Sequence, residues 1–479
     1  MHMRICRGEG FLRRSCGVAA TILAPMLVAA VAILTLSQAA TNPPAAPAAC
    51  PANAGIKLPP GFCATVFADN LGRARHLAVA PNGTVYVNTL DGGQQAAGFL
   101  VALRDTKGQG RADIVQRFGT GAAGGTGIAY YRGAIYAEMS DRILRYPLPG
   151  GAILPKGAPQ VIVSGLPLGG DHPMHPFAIG AQGDLFVDIA SATNSCQLQN
   201  RVPNSPGDKP CVELQTRGGI WRYDADRTGQ RFSPAERFAK GLRNGEGLSF
   251  DSAGRLYATQ HCRDQLAENW PSLYNPAQGQ NLPAEELMIL KLGADYGWPE
   301  CYFDGFQKKL VLAPEYGGNG GKLVSICAQM QGPVAFFPAH WAPNDMLIYN
   351  ATQFPQRYRG GAFIAFHGSW NRAPGPQGGY NIVFQPMAGG KATGPYIVFA
   401  DGFAGAFKDP SRAAFRPSGL AVGPDGALFI SDDVHGRIWR VVYKGGTGVA
   451  GVAPAPGVAA ASDAGGQESL PTLPGVAED

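Results

Sequence analysis

A histidine and several arginines stand at similar places along the sequence, and their side chains suit acid–base chemistry and anion binding. His172 directly follows Asp171, and a carboxylate beside an imidazole is one way in which a general base is oriented. His172 lies five residues before an apolar segment that begins at Phe177, and Arg243 lies five residues before a similar segment at Leu248. The equivalent placement indicates one shared site.

Two further arginines occupy comparable places: Arg416 lies four residues before Leu420, and Arg75 lies two residues before Leu77. Clustered like charges repel, so gathered arginines require either a ligand of comparable negative charge or nearby carboxylates. A small polyanionic ligand is the first interpretation. The alternatives are ordinary salt bridges for the arginines and a turn with a solvated histidine for 171–172.

The segments that follow these residues are copies of one hairpin, in which an apolar strand, a glycine turn and a strand with a central aromatic residue succeed one another. Five copies span residues 77–87, 128–137, 177–187, 248–258 and 420–430. Their turn glycines are Gly83, Gly133, Gly183, Gly254 and Gly426. A weaker copy, with strands at 334–337, 346–349 and 362–366, fills the last interval.

Six such units predict an all-β fold, a six-bladed β-propeller, because one blade cannot bury its faces alone. The alternative is a set of hairpins in one or two β-sandwiches. In a propeller the chain enters each blade beside the central axis, so residues before each hairpin converge at one mouth. Segment 266–299 lacks the pattern and is interpreted as an excursion of the fourth blade, with a short helical turn at 285–288.

Composition and motifs exclude several classes of protein. The 479 residues include 66 glycines and 39 prolines, and this glycine usage is roughly double the ordinary 7%, which excludes a helical bundle or coiled coil. A net charge of +5 with scattered basic residues gives no nucleic-acid footprint. Residues 119–124 spell the dinucleotide motif G-x-G-x-x-G, but a strand follows where that motif requires a helix. Serine-hydrolase and zinc-protease motifs are absent from the sequence.

The two ends are expected to lie outside the propeller, which is assigned to residues 55–443. Four arginines precede an apolar run that ends at Leu36, and the small residues that follow predict a cleaved signal peptide over 1–39. A retained membrane anchor is the alternative. Residues 40–54 are interpreted as a linker and 444–479 as a disordered tail. Export implies a periplasmic or secreted protein.

The cysteines fit an oxidising compartment. Seven remain after removal of the signal, and pairing those that close short loops gives Cys50 with Cys63, Cys196 with Cys211 and Cys301 with Cys327, which leaves Cys262 free.

Together these residues resemble a known family, the soluble quinoprotein sugar and sorbosone dehydrogenases, which are six-bladed propellers that hold pyrroloquinoline quinone (PQQ). The resemblance covers about 55–443, and its motifs are 58–62 (Leu-Pro-Pro-Gly-Phe), 171–172 (Asp-His), 243–247 (Arg-Asn-Gly-Glu-Gly), 297–299 (Gly-Trp-Pro), 367–372 (His-Gly-Ser-Trp-Asn-Arg) and 416–419 (Arg-Pro-Ser-Gly). The string at 367–372 looks most like the sorbosone branch.

The resemblance implies a role for each matching residue. His172 would be the general base that takes the proton of the substrate hydroxyl, and Asp171 would orient it or raise its basicity. The carboxylates of PQQ would account for the arginines. Cofactor-binding positions would be Arg243, Asn244, Arg372, Gln197, Arg416, Arg75, His367 and Trp370.

The family also places a calcium ion against the quinone, and the resemblance assigns it to main-chain carbonyls at Cys262 and Arg263, beside Asp264. This chain departs from the family here, because small residues are usual where it has His-Cys-Arg-Asp at 261–264. Asp264, Glu285 and Glu286 are alternative oxygen donors for calcium, unless they form an exposed acidic loop.

The implied activity is oxidation of a sugar or sugar aldehyde such as sorbosone. Its electrons would pass to a separate acceptor, a cytochrome or a quinone, without a nucleic-acid partner and with membrane contact only if the signal is retained. Two other functions stay open: a calcium-dependent propeller lactonase or hydrolase, and a binding propeller without catalysis.

Overall fold

The structure is a computed structural model, which describes residues 52–90, 98–119, 124–372 and 374–445. In chain order its strands are β1 (Phe62–Ala68), β2 (Ala74–Val79), β3 (Val85–Thr89), β4 (Leu100–Arg104), β5 (Ile114–Phe118), β6 (Ile128–Tyr131), β7 (Ala134–Met139), β8 (Arg142–Pro147), β9 (Gln160–Ser164), β10 (Phe177–Ile179), β11 (Asp184–Ile189), β12 (Gly219–Asp224), β13 (Gln230–Arg231), β14 (Arg237–Lys240), β15 (Leu248–Phe250), β16 (Leu256–Gln260), β17 (Glu285–Ile289), β18 (Cys301–Asp304), β19 (Lys309–Leu312), β20 (Ala335–Phe337), β21 (Pro343–Ile348), β22 (Ala362–Phe366), β23 (Asn381–Gln385), β24 (Met387–Ala388), β25 (Lys391–Ala392), β26 (Ile397–Ala400), β27 (Pro417–Val422), β28 (Leu428–Asp432) and β29 (Ile438–Tyr443). Two short helices, α1 (Leu266–Asn269) and α2 (Pro276–Asn281), lie between β16 and β17.

Six antiparallel four-stranded sheets form the blades of a β-propeller, which confirms the predicted all-β fold. From the inner strand outward they are blade one (β2–β5), blade two (β6–β9), blade three (β10, β11, β12, β14), blade four (β15, β16, β17, β20), blade five (β21, β22, β23, β26) and blade six (β27, β28, β29, β1). The inner strands contact one another in chain order around the ring, and β27 contacts β2. Strand β13 extends blade two, whereas β18–β19 and β24–β25 are separate hairpins.

Strand β1 closes the ring by joining the last blade. It pairs antiparallel with β29, so that Phe62 lies opposite Tyr443. Phe62 is buried, and its ring packs edge-on against Phe354 and Phe399, with centroids 4.8 and 4.9 Å away. Sheet hydrogen bonds and aromatic packing therefore hold the first and last strands together, which completes blade six as a four-stranded sheet.

The repeated glycine turns occupy corresponding places. Each of the five predicted glycines lies between the first and second strands of a blade, with φ between 74° and 98°. Gly83 has a φ of 84° in the turn between β2 and β3, a left-handed conformation that glycine adopts without a steric cost. The predicted register of these five hairpins is confirmed.

A polar side chain lies five residues after each turn glycine and ties its blade to the next one. These blade-linking residues are Asn88, Glu138, Asp188, Thr259 and Ser431. Thr259 in blade four donates to the carbonyl of Pro343 in blade five at 2.9 Å. Ser431 in blade six likewise donates to the carbonyl of Arg75 in blade one at 2.6 Å. Between blades five and six the link is Asp345, which accepts from the N–H of Leu420 at 2.7 Å.

Two sequence-based assignments are wrong. Residues 285–288, predicted as a helical turn, belong to β17, the third strand of blade four. Segment 334–337, assigned to the weaker hairpin copy, contributes β20, the outer strand of blade four, and not a strand of blade five. The apolar residues of β17 pack on both faces of blade four, so tertiary burial outweighs the local helix signal of its two glutamates.

Three long connections lie on one face of the ring, which we call the mouth face. In an antiparallel blade, the connection between the second and third strands lies on the same side as the connection from the fourth strand to the next blade. The long examples join β11 to β12 (190–218), β16 to β17 (261–284) and β22 to β23 (367–380). Segment 165–176, which carries His172, and segment 241–247, which carries Arg243, reach the same face.

Disulfides cross-link two long connections, one between β11 and β12 and the other between β17 and β20. Cys196–Cys211 and Cys301–Cys327 are present as predicted, and Cys262 is a buried free thiol. The predicted partner of Cys63, Cys50, lies outside the described residues, as do the signal peptide and the tail beyond residue 445. No helix in the described part of the chain is long and apolar enough to cross a membrane.

The blade links predict a large effect of Thr259→Val. Thr259 is fully buried and also accepts from the N–H of Gly247 at 3.0 Å, so valine would leave two buried main-chain groups unpaired. We expect the free energy of unfolding to fall by about 2–4 kcal/mol. Urea unfolding measures this, with the exposed Thr393→Val as control, whose expected change is within about 0.5 kcal/mol. Equal effects of the two substitutions would contradict the proposed role of the links.

Candidate active site

The imidazole of His172 is held by the main chain of the next mouth-face connection. Its Nδ1 lies 2.9 Å from the carbonyl oxygen of Ser191 and 3.1 Å from the Ser191 hydroxyl oxygen. The hydroxyl itself donates to the carbonyl of Thr193 at 2.7 Å. A carbonyl only accepts, so Nδ1 carries the proton and Nε2 presents its lone pair.

The electrostatic surroundings keep His172 neutral. Burial, and then the positive charge of Arg243, hold the pKa of His172 well below its ordinary value, and they outweigh the Ser191 hydrogen bond, which acts in the opposite direction. An unprotonated imidazole with a free Nε2 is the form that a general base requires.

Asp171 does not have the predicted orienting role, because Ser191 positions the imidazole. The carboxylate of Asp171 instead accepts from Nη2 of Arg201 at 2.8 Å and from its Nε at 3.1 Å. This pair is partly exposed. The backbone carbonyl that orients His172 could not be identified from its residue type.

Asp264 joins three mouth-face connections. Its carboxylate accepts from Nη2 of Arg243 at 2.9 Å, from Nη2 of Arg201 at 3.1 Å and from the amide of Asn371 at 2.8 Å. Burial disfavours ionisation, but Arg243, His340 and Arg201 outweigh it and hold the pKa of Asp264 below its usual range. Asp264 is therefore an anion that offsets two guanidinium charges.

Arg243 is fully engaged with the protein. Besides Asp264, its guanidinium donates to the carbonyls of Asn194 and Cys262, both at 3.0 Å, and to the side-chain oxygen of Asn194 at 3.1 Å. Asn194 and Arg201 escaped the sequence analysis because they lie outside every repeat. Their only sequence signal is their place in the long 190–218 connection, next to the disulfide.

Arg75 and His367 belong to a buried ion-pair chain along the axis. Arg75 donates to Asp433 at 2.8 Å and to Glu246 at 3.0 Å, and His367 Nε2 lies 2.8 Å from the other oxygen of Asp433. Blades one and four face each other across the ring, so the Arg75–Glu246 pair spans the axis. The charge of Arg75 is therefore balanced by two carboxylates, which is the salt-bridge alternative of the sequence analysis. The cofactor contacts of Arg75 and His367 stay predictions.

Two other predicted cofactor residues donate to main-chain carbonyls of the mouth-face connections. Arg416 donates to the carbonyls of His367 and Gly368 at 3.1 and 2.8 Å, which braces the 367–380 connection. The side-chain amide of Gln197 donates to the carbonyls of Val202 and Ser205, both at 3.2 Å. Both side chains stabilise loop conformation in this structure.

The remaining predicted residues are Arg372, Trp370 and Asn244, which lie in segments of the mouth face. Arg372 is buried and donates to the side chain of Asn281 at 3.1 Å, at the end of α2. Trp370 is 54% exposed. Asn244 is buried, and its carbonyl accepts from the N–H of His261 at 2.9 Å.

The predicted calcium ligands do not fit a metal ion as they are arranged. The carbonyl of Cys262 and the carboxylate of Asp264 both accept from Arg243, which would repel a cation placed on them. The side chain of Arg263 is buried in an ion pair with Glu315. Within the described ranges, no group of three or more His, Cys, Asp or Glu side chains is placed to hold a metal.

Glu285 and Glu286 are buried strand residues, so the prediction of an exposed acidic loop is wrong. Burial raises the pKa of Glu285 to about 8 and that of Glu286 to about 7. Hydrogen bonds from the N–H groups of Cys262 and Ala342 act in the opposite direction on Glu285.

The exposed groups of the mouth face suit a flat anionic ring compound such as PQQ. The guanidinium of Arg201 is partly exposed and can donate to a carboxylate, and the exposed indole of Trp370 offers an aromatic face. Two buried atoms at this face, Oδ1 of Asn371 and Nε2 of His261, have no hydrogen-bond partner among the described residues. A polar ligand would satisfy such atoms.

Fold and site define a six-bladed β-propeller whose mouth face carries a neutral histidine and paired arginines. Residues 56–444 match the family described as TrAA12-like, and the chain belongs to that family. The family and fold that the sequence resemblance predicted are thereby confirmed.

Solved structures with the same fold include two fungal proteins. One is the iodide structure of the Trichoderma reesei carbohydrate-active enzyme family AA12, with a TM-score of 0.65 and 20% identity over 81% of this chain and 98% of that one. The other is the holo form of the PQQ domain of Coprinopsis cinerea pyranose dehydrogenase, with a TM-score of 0.64 and 19% identity over 81% of this chain and 97% of that one. Identities this low support the fold alone.

Curated relatives match over a part of their length. A pyrroloquinoline quinone-dependent pyranose dehydrogenase of Coprinopsis cinerea is 26% identical over 242 residues, which cover 43% of this chain and 31% of the relative. An uncharacterized protein of Borreliella burgdorferi is 27% identical over 209 residues, which cover 43% of this chain and 48% of the relative. The chain thus spans less than half the length of these relatives.

The shared carboxylate predicts a large effect of Asp264→Asn. The substitution removes the negative charge between two guanidinium groups while keeping the side-chain shape, so Arg243 would be left buried beside a neutral amide. We expect a loss of about 3 kcal/mol in the free energy of unfolding. Asp171→Asn removes a partly exposed pair and should cost less than about 1 kcal/mol in the same urea titration. Similar losses for both variants would argue against Asp264 as the central anion.

Proposed function

We propose that this protein is a quinoprotein dehydrogenase that oxidises a sugar or a sugar aldehyde, with His172 as the general base. The observation that carries the proposal is the hydrogen bond from His172 Nδ1 to the Ser191 carbonyl, which leaves a neutral Nε2 at the mouth. The solved structure and the curated relative from Coprinopsis cinerea named above both carry PQQ and pyranose dehydrogenase in their names, which supports the choice of cofactor and of substrate class.

His172 would take the proton of the substrate hydroxyl at Nε2. Ser191 holds the ring in one tautomer throughout, so the accepting atom is always the same one. The chemistry that PQQ supplies when bound is a two-electron acceptor for the hydride of the substrate carbon. Because the pKa of His172 is depressed, the imidazolium formed in this step releases its proton readily to water before the next turnover.

The cofactor carboxylates would be held by Arg201 and Arg372, with Trp370 beside the ring. The sequence resemblance also implies cofactor contacts for Arg243 and Asn244. Because the donors of Arg243 are bonded to the protein, it would act on the cofactor through its charge and by holding the pocket wall. Arg243 also maintains Asp264 and Cys262 in place, so it both shapes the pocket and keeps His172 unprotonated.

A calcium-dependent hydrolase is less well supported. Such an enzyme needs free carboxylate ligands at the mouth, whereas the carboxylate of Asp264 is bonded to two guanidinium groups and that of Asp171 to one. The dehydrogenase proposal has three further parts. The substrate is an aldose or a sugar aldehyde such as sorbosone, the protein is exported to the periplasm or the medium, and its electron acceptor is a separate cytochrome or quinone.

Reconstitution tests the function. Purified protein is titrated with PQQ, with and without added calcium, and then screened against aldoses and sugar aldehydes with an artificial electron acceptor. Saturable PQQ binding and sugar-dependent dye reduction are the expected results. Absence of PQQ binding under both metal conditions would overturn the proposal, and calcium-dependent binding would contradict the poor fit of the Cys262 and Asp264 ligands to a metal ion.

The proposed base predicts that His172→Gln lowers turnover by about two to four orders of magnitude, the usual contribution of general-base catalysis. PQQ should still bind, because the arginines are unchanged. Steady-state turnover and a PQQ titration measure the two effects. The exposed His435→Gln is the control and should leave both unchanged. Near-normal turnover of His172→Gln with bound cofactor would exclude this residue as the base.

Arg243→Ala should show the opposite pattern. It removes a positive charge and frees Asp264 and the Cys262 carbonyl, so it should weaken PQQ binding first, with activity partly recovered at excess cofactor. Loss of turnover that excess PQQ does not restore would contradict this division of roles.

The depressed pKa of His172 predicts an unusual pH profile. Protonation inactivates a base, so lowering its pKa moves the acid limb of kcat/KM to a pH well below 6.5. Arg243→Ala removes the nearest positive charge and should shift the limb toward higher pH, when measured at saturating PQQ. A limb at the same pH in both proteins would mean that Arg243 does not set the pKa of His172.

A further inference from the structure

Glu285 accepts hydrogen bonds from two main-chain segments that lead to the mouth face. It lies in β17 of blade four with 2% of its surface exposed. One carboxyl oxygen accepts from the main-chain N–H of Cys262 at 2.9 Å, and the other accepts from that of Ala342 at 3.0 Å. Cys262 belongs to the 261–284 connection, and Ala342 belongs to the connection from blade four to blade five. One side chain therefore fixes two independent backbone segments.

Each of these segments in turn supports residues of the site. The carbonyl of Cys262 accepts from Nη1 of Arg243 at 3.0 Å. The carbonyl of Ala342 accepts from the N–H of His367 at 2.8 Å, and the carbonyl of Trp341 accepts from the N–H of Gly368 at 2.9 Å. Movement of Glu285 would thus be transmitted to Arg243 on one side and to the 367–380 connection on the other.

We propose that Glu285 is a positioning residue, which sets the relative placement of Arg243 and the 367–380 connection through its bonds to Cys262 and Ala342. The inference rests on the proposed function insofar as these two elements hold the cofactor. Glu285 does not touch His172, which Ser191 holds separately. It should therefore govern cofactor affinity and, at a pH at which His172 is neutral in both proteins, leave the proton-transfer step unaffected.

The geometry requires a carboxyl group. Both oxygens can accept a hydrogen bond in either protonation state, whereas glutamine offers one oxygen and one NH₂ group. In Glu285→Gln one main-chain N–H would face a donor at about the same distance, so one of the two segments must lose its anchor. Leaving a buried N–H unpaired is costly enough to change a local opening equilibrium by about tenfold or more.

The neighbouring Glu286 provides a matched control. It lies in the same strand and is equally buried. Its Oε1 accepts from the side chain of Gln260 at 2.9 Å and from the thiol of Cys262 at 3.2 Å, while Oε2 has no partner among the described residues. Glutamine at this position keeps the accepting oxygen and places its NH₂ where no bond is lost. Glu286→Gln should therefore resemble the wild type.

The first experiment does not depend on PQQ. Amide hydrogen exchange of the full chain, read by fragmentation mass spectrometry, compares the wild type with Glu285→Gln and Glu286→Gln. In Glu285→Gln we expect the amides of Cys262 or Ala342, together with that of His367, to exchange about tenfold faster, with little change in the outer strands. Unchanged exchange at these amides would overturn the proposal.

The second experiment measures PQQ affinity and turnover in the same proteins. Glu285→Gln should raise the dissociation constant of PQQ about tenfold or more, while kcat at saturating PQQ stays within about twofold of the wild type. Unchanged affinity together with faster exchange throughout the propeller would reduce Glu285 to a purely structural role. If Glu285→Gln does not fold, Glu285→Asp replaces it, because the shorter side chain keeps both oxygens but cannot reach both N–H groups.

The two experiments separate this inference from the proposed function. If the wild type itself does not bind PQQ, the proposed function fails, and the exchange data still decide whether Glu285 positions the two segments. If the wild type binds PQQ and Glu285→Gln shows neither faster exchange nor weaker binding, the positioning role fails while the proposed function stands.

Discussion

The structure depends on hydrogen bonds that satisfy main-chain groups where the blades meet around the axis. These groups are remote from water and no sheet partner reaches them, so side chains must supply the missing donors and acceptors. The blade-linking residues do this in blades one, two, three, four and six, and Asp345 does it in blade five. Each link fixes the start of the following inner strand. The segments that precede those strands carry His172 and Arg243, so the site is built on a rigid ring.

The arginines of the site have two different electrostatic roles. On the axis, Asp433 and Glu246 lie against Arg75, which makes it part of a closed ion-pair chain that spans the ring. At the mouth, Arg201 and Arg243 share one carboxylate, that of Asp264. A guanidinium buried among carboxylates stabilises the ring, whereas a partly exposed guanidinium such as that of Arg201 retains the capacity to bind another anion.

The properties of His172 arise from its neighbours. The Ser191 carbonyl selects the tautomer, and burial together with Arg243 keeps the ring neutral. The Ser191 N–H donates to the Arg243 carbonyl at 2.7 Å, so the residue that orients the base is itself held by the main chain of the arginine that tunes it. The orientation of the His172 ring and its pKa are therefore linked through the bond between Ser191 and Arg243. Glu285 supports the guanidinium of Arg243 through Cys262.

The sequence alone determined the blade count, the register of five hairpins, two of the disulfides, the free Cys262 and the convergence of His172 with Arg243, because these follow from a local repeat whose turn glycines and apolar strands are encoded residue by residue. The strand at 285–289 and the outer strand of blade four were misassigned, since their conformation comes from burial between distant segments. Ser191, Asn194, Arg201 and Asn371 lie in irregular connections without periodicity. Which charge meets which carboxylate was decided only by the tertiary structure, because a pair such as Arg75 and Asp433 joins residues 358 positions apart in the chain.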